Sequence, residues 1–439
     1  MKGGSNLENI LTGFSIRDIT PPLGTELCGH GVYPERKSTG VLEPLYTRAM
    51  AWKKGNSNGV LVMCDLLGIS KRHVAAVREA VFKRCGLPPE NVMISCLHNH
   101  SGPTAVDILA HGEENGEYIE ELRNRIVGAV EDAVAAMEPT NFEYSEVPVD
   151  GIAYNREYEG GKTDPRLRML TIKSNGRLKG FIANYSCHPV VINIGTSLVS
   201  SDFIGAAVNR VMEKHKVMGM FLQGSCGDIN SIYVNNPQTE AIFQLKDLHE
   251  KFMVFLEKAL ENTAPVQVSE IKTVNREVTL PLEKLSRQLV LRYIRMVERM
   301  MEVENLPLDI RKQLLFEKTA FDEIWKLYDI KDGDKRITEM QAFRFGDIII
   351  ASHPAELFYS FQEKVMDEMK PYKVMLAGYS NDFIGYIPGE DRYDVSGRRY
   401  SYPAHYVPLA FKSLPYVPNI GGIYAEELLR TIRMTIGGY

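Results

Sequence analysis

Residues 92–103 read Val-Met-Ile-Ser-Cys-Leu-His-Asn-His-Ser-Gly-Pro, and the change of character halfway along this stretch decides the fold class. Residues 92–95 are a short apolar run of strand type, and His98-Asn99-His100 follows almost at once. Open α/β sheets build their ligand sites this way, with polar residues just past the C-terminal end of a strand. The arrangement recurs along the chain. Strand-like residues 181–185 lead into Ser186-Cys187-His188-Pro189, and 218–222 into Gln223-Gly224-Ser225-Cys226-Gly227-Asp228-Ile229-Asn230. Residues 348–351 lead into Ser352-His353-Pro354-Ala355-Glu356, and 374–377 into Gly378-Tyr379-Ser380-Asn381 and on to Tyr386.

Working outward, residues 60–63 read as a further strand, and helical periodicity appears at 73–84, 118–137, 204–214, 241–262 and 357–369. Alternating strands and helices predict an α/β fold in layers. Asn175-Gly176 is a hairpin signal and Gly346-Asp347 a weaker one, so the expected sheet is mixed and flanked by helices. Residues 283–328 read as two charged helices broken near Pro307, a helical insertion whose Leu289, Tyr293, Val297 and Met300 recur at helical spacing. Its Arg287, Arg292, Arg295 and Arg299 are read as a solvated face. With no tandem repeat, Pro-rich linker or abrupt compositional change, residues 1–439 are expected to form one domain.

Composition narrows the function. Hydrophobic residues make up 44% and charged residues 24% of the 439, values of a folded globular chain that exclude disordered and low-complexity classes. The net charge is only -5 and no basic block is present, so no nucleic-acid partner is expected. The 6 cysteines lack CxxC spacing and read as reduced thiols. No secretory leader is visible in residues 1–11, and the apolar run 59–69 is interrupted by Asp65, so a cytoplasmic chain without a transmembrane segment is expected.

Of the 10 histidines, His98, His100, His188 and His353 lie in the strand-end clusters. A His-x-His in extended chain puts both rings on one side, which suits one metal ligand and one substrate-facing donor. Each residue also has a purely structural reading. His98 and His100 can bond backbone in a surface loop, His188 can be a core histidine, Glu356 can open a helix whose dipole favours it, and Tyr386 can pack. Together, two imidazoles and a carboxylate make a common open zinc set. The fold must unite them, because they stand far apart in the chain.

Seven segments in order resemble one family, the neutral/alkaline non-lysosomal ceramidases and their smaller bacterial relatives. They are GFSIRDITPPLG at 13–24, CLHNHSGPT at 96–104, NRE at 155–157, NYSCHPVV at 184–191, QGSCGDIN at 223–230, PAEL at 354–357 and GYSNDFIGYIP at 378–388. The resemblance implies one Zn(2+) held by His98, His188, Glu356 and Tyr386, with His100 and Arg156 on the substrate carbonyl or oxyanion. It also implies a later tyrosine, for which Tyr400 is the nearest match and Tyr393 an alternative. Nothing at the end of the chain resembles the immunoglobulin-like domain of the secreted ceramidases.

One position departs from the family. Its serine nucleophile is replaced here by Asn230, an amide that cannot attack as a hydroxyl does. Ser231 stands one residue on, which in extended chain points to the other face. The expected activity is therefore zinc-dependent hydrolysis of an amide (N-acyl) bond in a small-molecule substrate by metal-activated water, with Asn230 orienting substrate or water. The alternatives are a true ceramidase acting on N-acyl sphingoid lipids and a silent relative that only binds metal or ligand. Asp228 is expected to support a ligand histidine or to cap a turn, Asp202 to be a helix N-cap, and Cys226 to lack a cationic neighbour that would activate it.

Overall fold

The computed structural model describes residues 10–31, 36–192, 194–234, 236–330, 333–394 and 401–437. Its larger sheet runs, in spatial order, Met218–Gln223, Arg177–Tyr185, Arg166–Ser174, Glu138–Pro148, Ile10–Asp18, Tyr46–Lys54, Ser57–Cys64 and Val92–Cys96, with Ala264–Val266 also on Glu138–Pro148. Its two outermost pairings are parallel and those between them antiparallel, so the sheet is mixed as the hairpin signals predicted. A second, four-stranded sheet orders Ile271–Pro281, Lys335–Phe345, Ile348–Ser352 and Lys373–Ala377.

Strands such as Val92–Cys96 and Ile348–Ser352 are buried along their whole length because both of their faces are covered. Along Tyr46–Lys54, Ala49 and Ala51 join the core with Val74, Val77 and Ile126 of the helices Lys71–Cys85 and Gly116–Ala135. The alternate residues Met50 and Trp52 join a core with the second sheet, and the Trp52 ring lies 4.5 Å from Phe343 and 5.2 Å from Phe345. Helix Ile420–Thr435 adds Tyr424, Leu428 and Leu429 to the buried core. The hairpin readings hold, since Asn175 and Gly176 both take positive φ between paired strands, and Gly346 has φ 62° between Lys335–Phe345 and Ile348–Ser352. No helix among the described residues is long and apolar enough to cross a membrane.

The strands of the two sheets meet at their C-terminal ends, and this positions the site. The Cys96 amide donates to Tyr379 O at 3.1 Å, Gly378 N to Gln223 O at 2.8 Å, and Gly224 N to Tyr185 O at 2.8 Å. Two buried amides stitch the junction. Asn184 Nδ2 donates to Leu222 O and Leu376 O, and Gln223 Nε2 to Leu97 O and Cys187 O. Buried donors cost about 1–3 kcal/mol each when left unpaired, so these four strand ends are held in one register.

The insertion is present as helices Arg287–Met301 and Leu308–Leu327, whose Tyr293 and Phe321 rings stack 5.2 Å apart. It hangs from two strands that pair out to Pro281 and Lys335. One expectation is corrected here. The helix read from 357 begins at Tyr359, because Glu356–Leu357 pairs in parallel with Tyr386–Ile387. Glu356 is thus a strand residue rather than a carboxylate at a helix start.

Candidate metal centre

The folded chain brings His98, His100, His188 and Glu356 together. His98 follows strand Val92–Cys96 with φ 67°, a left-handed conformation that a non-glycine residue holds only under constraint. The constraint is double, since its amide donates to Leu66 O at 2.8 Å and its Nδ1–H to Leu67 O at 2.9 Å. His188 is fixed in the same way, its amide and its Nδ1–H both given to Ile229 O at 3.0 and 2.9 Å. An imidazole whose Nδ1–H is bonded to a carbonyl carries a bare lone pair on Nε2, the arrangement usual for metal-binding histidines.

Both bare Nε2 atoms converge on one carboxylate oxygen. Glu356 Oε2 lies 3.2 Å from His188 Nε2 and 3.4 Å from His98 Nε2. Burial alone would raise the Glu356 carboxyl, but the two imidazoles hold it well below the usual carboxylate range. Burial, and then Arg156, push His188 down to about 4. At neutral pH Glu356 therefore presents an anionic oxygen to the two Nε2 atoms. Ligand atoms about 2.05 Å from a tetrahedral ion stand about 3.3 Å apart, so the observed separations are those of donors around a zinc-sized cation.

His100 joins this group. The ligand atoms of His98, His100 and His188 lie within 4.8 Å of one another, a group that can hold a metal ion, and His100 Nε2 is 3.3 Å from His98 Nε2. His100 differs in one respect, since its buried Nδ1 has no hydrogen-bond partner. An N–H there would be an orphaned donor, so the proton belongs on Nε2, directed into the site. Burial first, then the neighbouring imidazoles and Arg36, push its pKa well below the ordinary value. Arg36 also donates to the His100 carbonyl, tying the His-x-His segment to the preceding loop.

Around this core, Arg156 NH2 donates to Tyr386 Oη at 2.5 Å and to Gly227 O at 2.8 Å, while NH1 is 3.4 Å from Asn230 Oδ1. Glu356 and Tyr386 are strand partners, and Gly227 packs so closely on Glu356 that a Cβ there would lie 2.4 Å from Glu356 O. Tyr379 stacks on the His98 ring at 3.9 Å. A cavity of about 260 Å³ opens beside His98, His100, Glu356 and Tyr386, walled on one side by Ile108, Phe383, Val407, Ala410 and Phe411.

Several expectations change. Asp228 does not reach a ligand histidine; it accepts from Tyr359 N at 2.7 Å and from Asn155 Nδ2 at 2.8 Å, bracing the Asn155-Arg156 turn. Asp202 is not the N-cap. It is the first helical residue, with φ 55°, and its carboxylate accepts from Ile192 N and Phe203 N. Ser231 gives its hydroxyl to Tyr233 O at 2.7 Å. Burial pushes the Cys226 thiol far up, which leaves no thiolate. His353 is a core histidine, with Nε2 3.2 Å from Ser225 Oγ. Tyr400 lies outside the described residues, and Tyr393 packs against His405 at 5.8 Å. Tyr402 and His111, which the sequence reading did not single out, line the cavity, and the Tyr402 ring is 5.9 Å from Tyr386.

Mixed α/β layers thus carry, at converging strand ends, a buried histidine cluster that could hold a metal ion. Among solved structures, neutral ceramidase from Pseudomonas aeruginosa is similar at a TM-score of 0.73 and 17% identity, covering 98% of this chain and 75% of that one. A ceramidase complexed with C2 is similar at 0.72 and 16%, covering 98% and 76%. No curated protein matches the sequence. The family model for the N-terminal part of neutral/alkaline non-lysosomal ceramidases matches residues 10–233. The chain belongs to that family.

Proposed function

We propose that the chain is a zinc-dependent amidohydrolase that splits an N-acyl bond with water as the nucleophile. The observation that supports this most is the meeting of the bare Nε2 atoms of His98 and His188 with Glu356 Oε2 at 3.2–3.4 Å. Those three residues would hold the ion, with Tyr386 beside them as the fourth ligand. The chemistry that zinc supplies in such a set is polarisation of a carbonyl and a lowering of the pKa of water toward about 7.

The remaining residues divide the work. His100 directs Nε2–H toward the substrate carbonyl, and Arg156, oriented by Gly227 O and Asn230, carries the positive charge that stabilises the developing oxyanion. Asn230 orients Arg156 instead of attacking. The apolar wall receives the acyl group. A cavity of about 260 Å³ suits a short acyl chain.

A panel of N-acetylglucosamine, N-acetylglycine, N-acetylbutylamine and a short-chain ceramide, incubated with and without chelator, tests the reading. Chelator-sensitive release of amine from at least one short amide is expected. Release that ignores chelator, or an acyl-enzyme trapped on Ser231, overturns it.

A further inference from the structure

A water mechanism needs a group that takes a proton from the water and returns one to the leaving nitrogen. Of the residues that face the cavity, Glu356 and His98 are committed to the ion, His100 presents an N–H, and Tyr386, Tyr402 and Tyr406 are phenols. His111 remains. Its Nδ1–H is given to Leu109 O at 2.9 Å, so its Nε2 carries a bare lone pair. The ring lies over Gly31, where a Cβ would come within 3.1 Å of Nε2, and Gly31 itself lines the cavity. The absence of a side chain at 31 leaves the basic edge of His111 uncovered beside the site. Thr104 Oγ1 bonds the His111 carbonyl at 3.3 Å and steadies this loop. His111 and Glu356 line the same cavity.

We infer that His111 is a catalytic residue, the proton shuttle of the hydrolysis, acting through Nε2. The inference rests on the amidohydrolase reading above. As water attacks, a bond forms from its oxygen to the acyl carbon, one water proton passes to His111 Nε2, and the carbonyl π pair moves onto oxygen beside His100 and Arg156. As that pair returns, the C–N bond breaks, its electrons stay on nitrogen, and nitrogen takes the proton from His111. The products are a carboxylic acid, which ionises in solvent, and a free amine, so the shuttle ends as it began.

The test compares wild type, His111→Ala and His111→Gln for bound zinc, kcat and KM, using 4-nitroacetanilide and whichever member of the amide panel wild type cleaves fastest. Zinc content and KM should stay at wild-type values. On the alkyl amide, kcat should fall by roughly 10²–10⁴. The fall should be smaller on the anilide, whose amine leaves without full protonation, and added imidazole should restore part of the His111→Ala rate. If wild type cleaves amides and both variants, still holding zinc, stay within about threefold of it, His111 has no such part. If wild type holds zinc and cleaves no amide, the underlying reading fails and the inference with it.

Discussion

Glu356→Gln changes one carboxylate oxygen to an amide of nearly the same shape, and so separates the charge of the centre from its packing. A ligand bound only by the folded chain adds RT ln(1 + [L]/Kd), about 2.7–4.1 kcal/mol at 100–1,000 times Kd. Unfolding entropy of about 2.1 cal/mol/K per residue gives a chain of 439 residues a slope of roughly 0.9 kcal/mol per degree. Stripping zinc from the wild type should therefore lower Tm by about 3–4.5 °C. Glutamine offers no anionic ligand, so Glu356→Gln should melt near the stripped wild type and be indifferent to zinc and chelator alike. Without metal, the carboxylate that the two imidazoles hold well below the usual range is itself stabilising at neutral pH, so the variant should melt at or somewhat below the stripped wild type. Scanning calorimetry with zinc and with chelator gives both comparisons. A Glu356→Gln chain that zinc stabilises as much as the wild type refutes the assignment of Glu356 to the centre.

Three other perturbations probe the surroundings. Gly227→Ala puts a Cβ 2.4 Å from the Glu356 carbonyl and should destabilise by about 1–3 kcal/mol while weakening zinc retention, measured by denaturant unfolding and dialysis against chelator. Arg156→Met should lower kcat about a hundredfold at saturating substrate with zinc content unchanged; an unaltered kcat would remove Arg156 from the oxyanion. His353, fully buried, is held at about 3 by burial against 6.5 in the unfolded chain. The unfolded state therefore binds the extra proton first, and stability present above pH 6.5 is lost as pH falls toward 3, by up to about 4–5 kcal/mol. Urea titrations at pH 7, 6 and 5 should show a slope in this direction, and His353→Gln should reduce it by one histidine's share, with the buried His30, His100 and His188 supplying the rest.

Much of the fold was legible because burial on both strand faces leaves apolar runs such as residues 92–95 and 348–351 that nothing else explains. Asn175-Gly176 announced its hairpin through the positive φ its turn requires. The start of helix Tyr359–Glu368 was not legible, because the pairing that draws Glu356 into a strand comes from Tyr386, thirty residues downstream. The same long-range logic governs the site. His98, His188 and Glu356 could be singled out by residue type and by place after a strand, yet the Nδ1 partners of the two histidines are backbone carbonyls, which carry no side-chain signature. Of the two readings of Asp228, a histidine's partner or a turn cap, the second is nearer to what it does. His111 sits in a loop away from any strand end, and only the cavity reveals it.

The metal content of the purified chain, measured beside His98→Ala and His188→Ala by elemental analysis, bears most directly on the proposed centre. About one zinc per wild-type chain is expected, as for a single four-ligand site, with the metal lost from both variants while their circular dichroism stays native. Stoichiometric zinc retained by both variants, or a wild type that binds none, would contradict it.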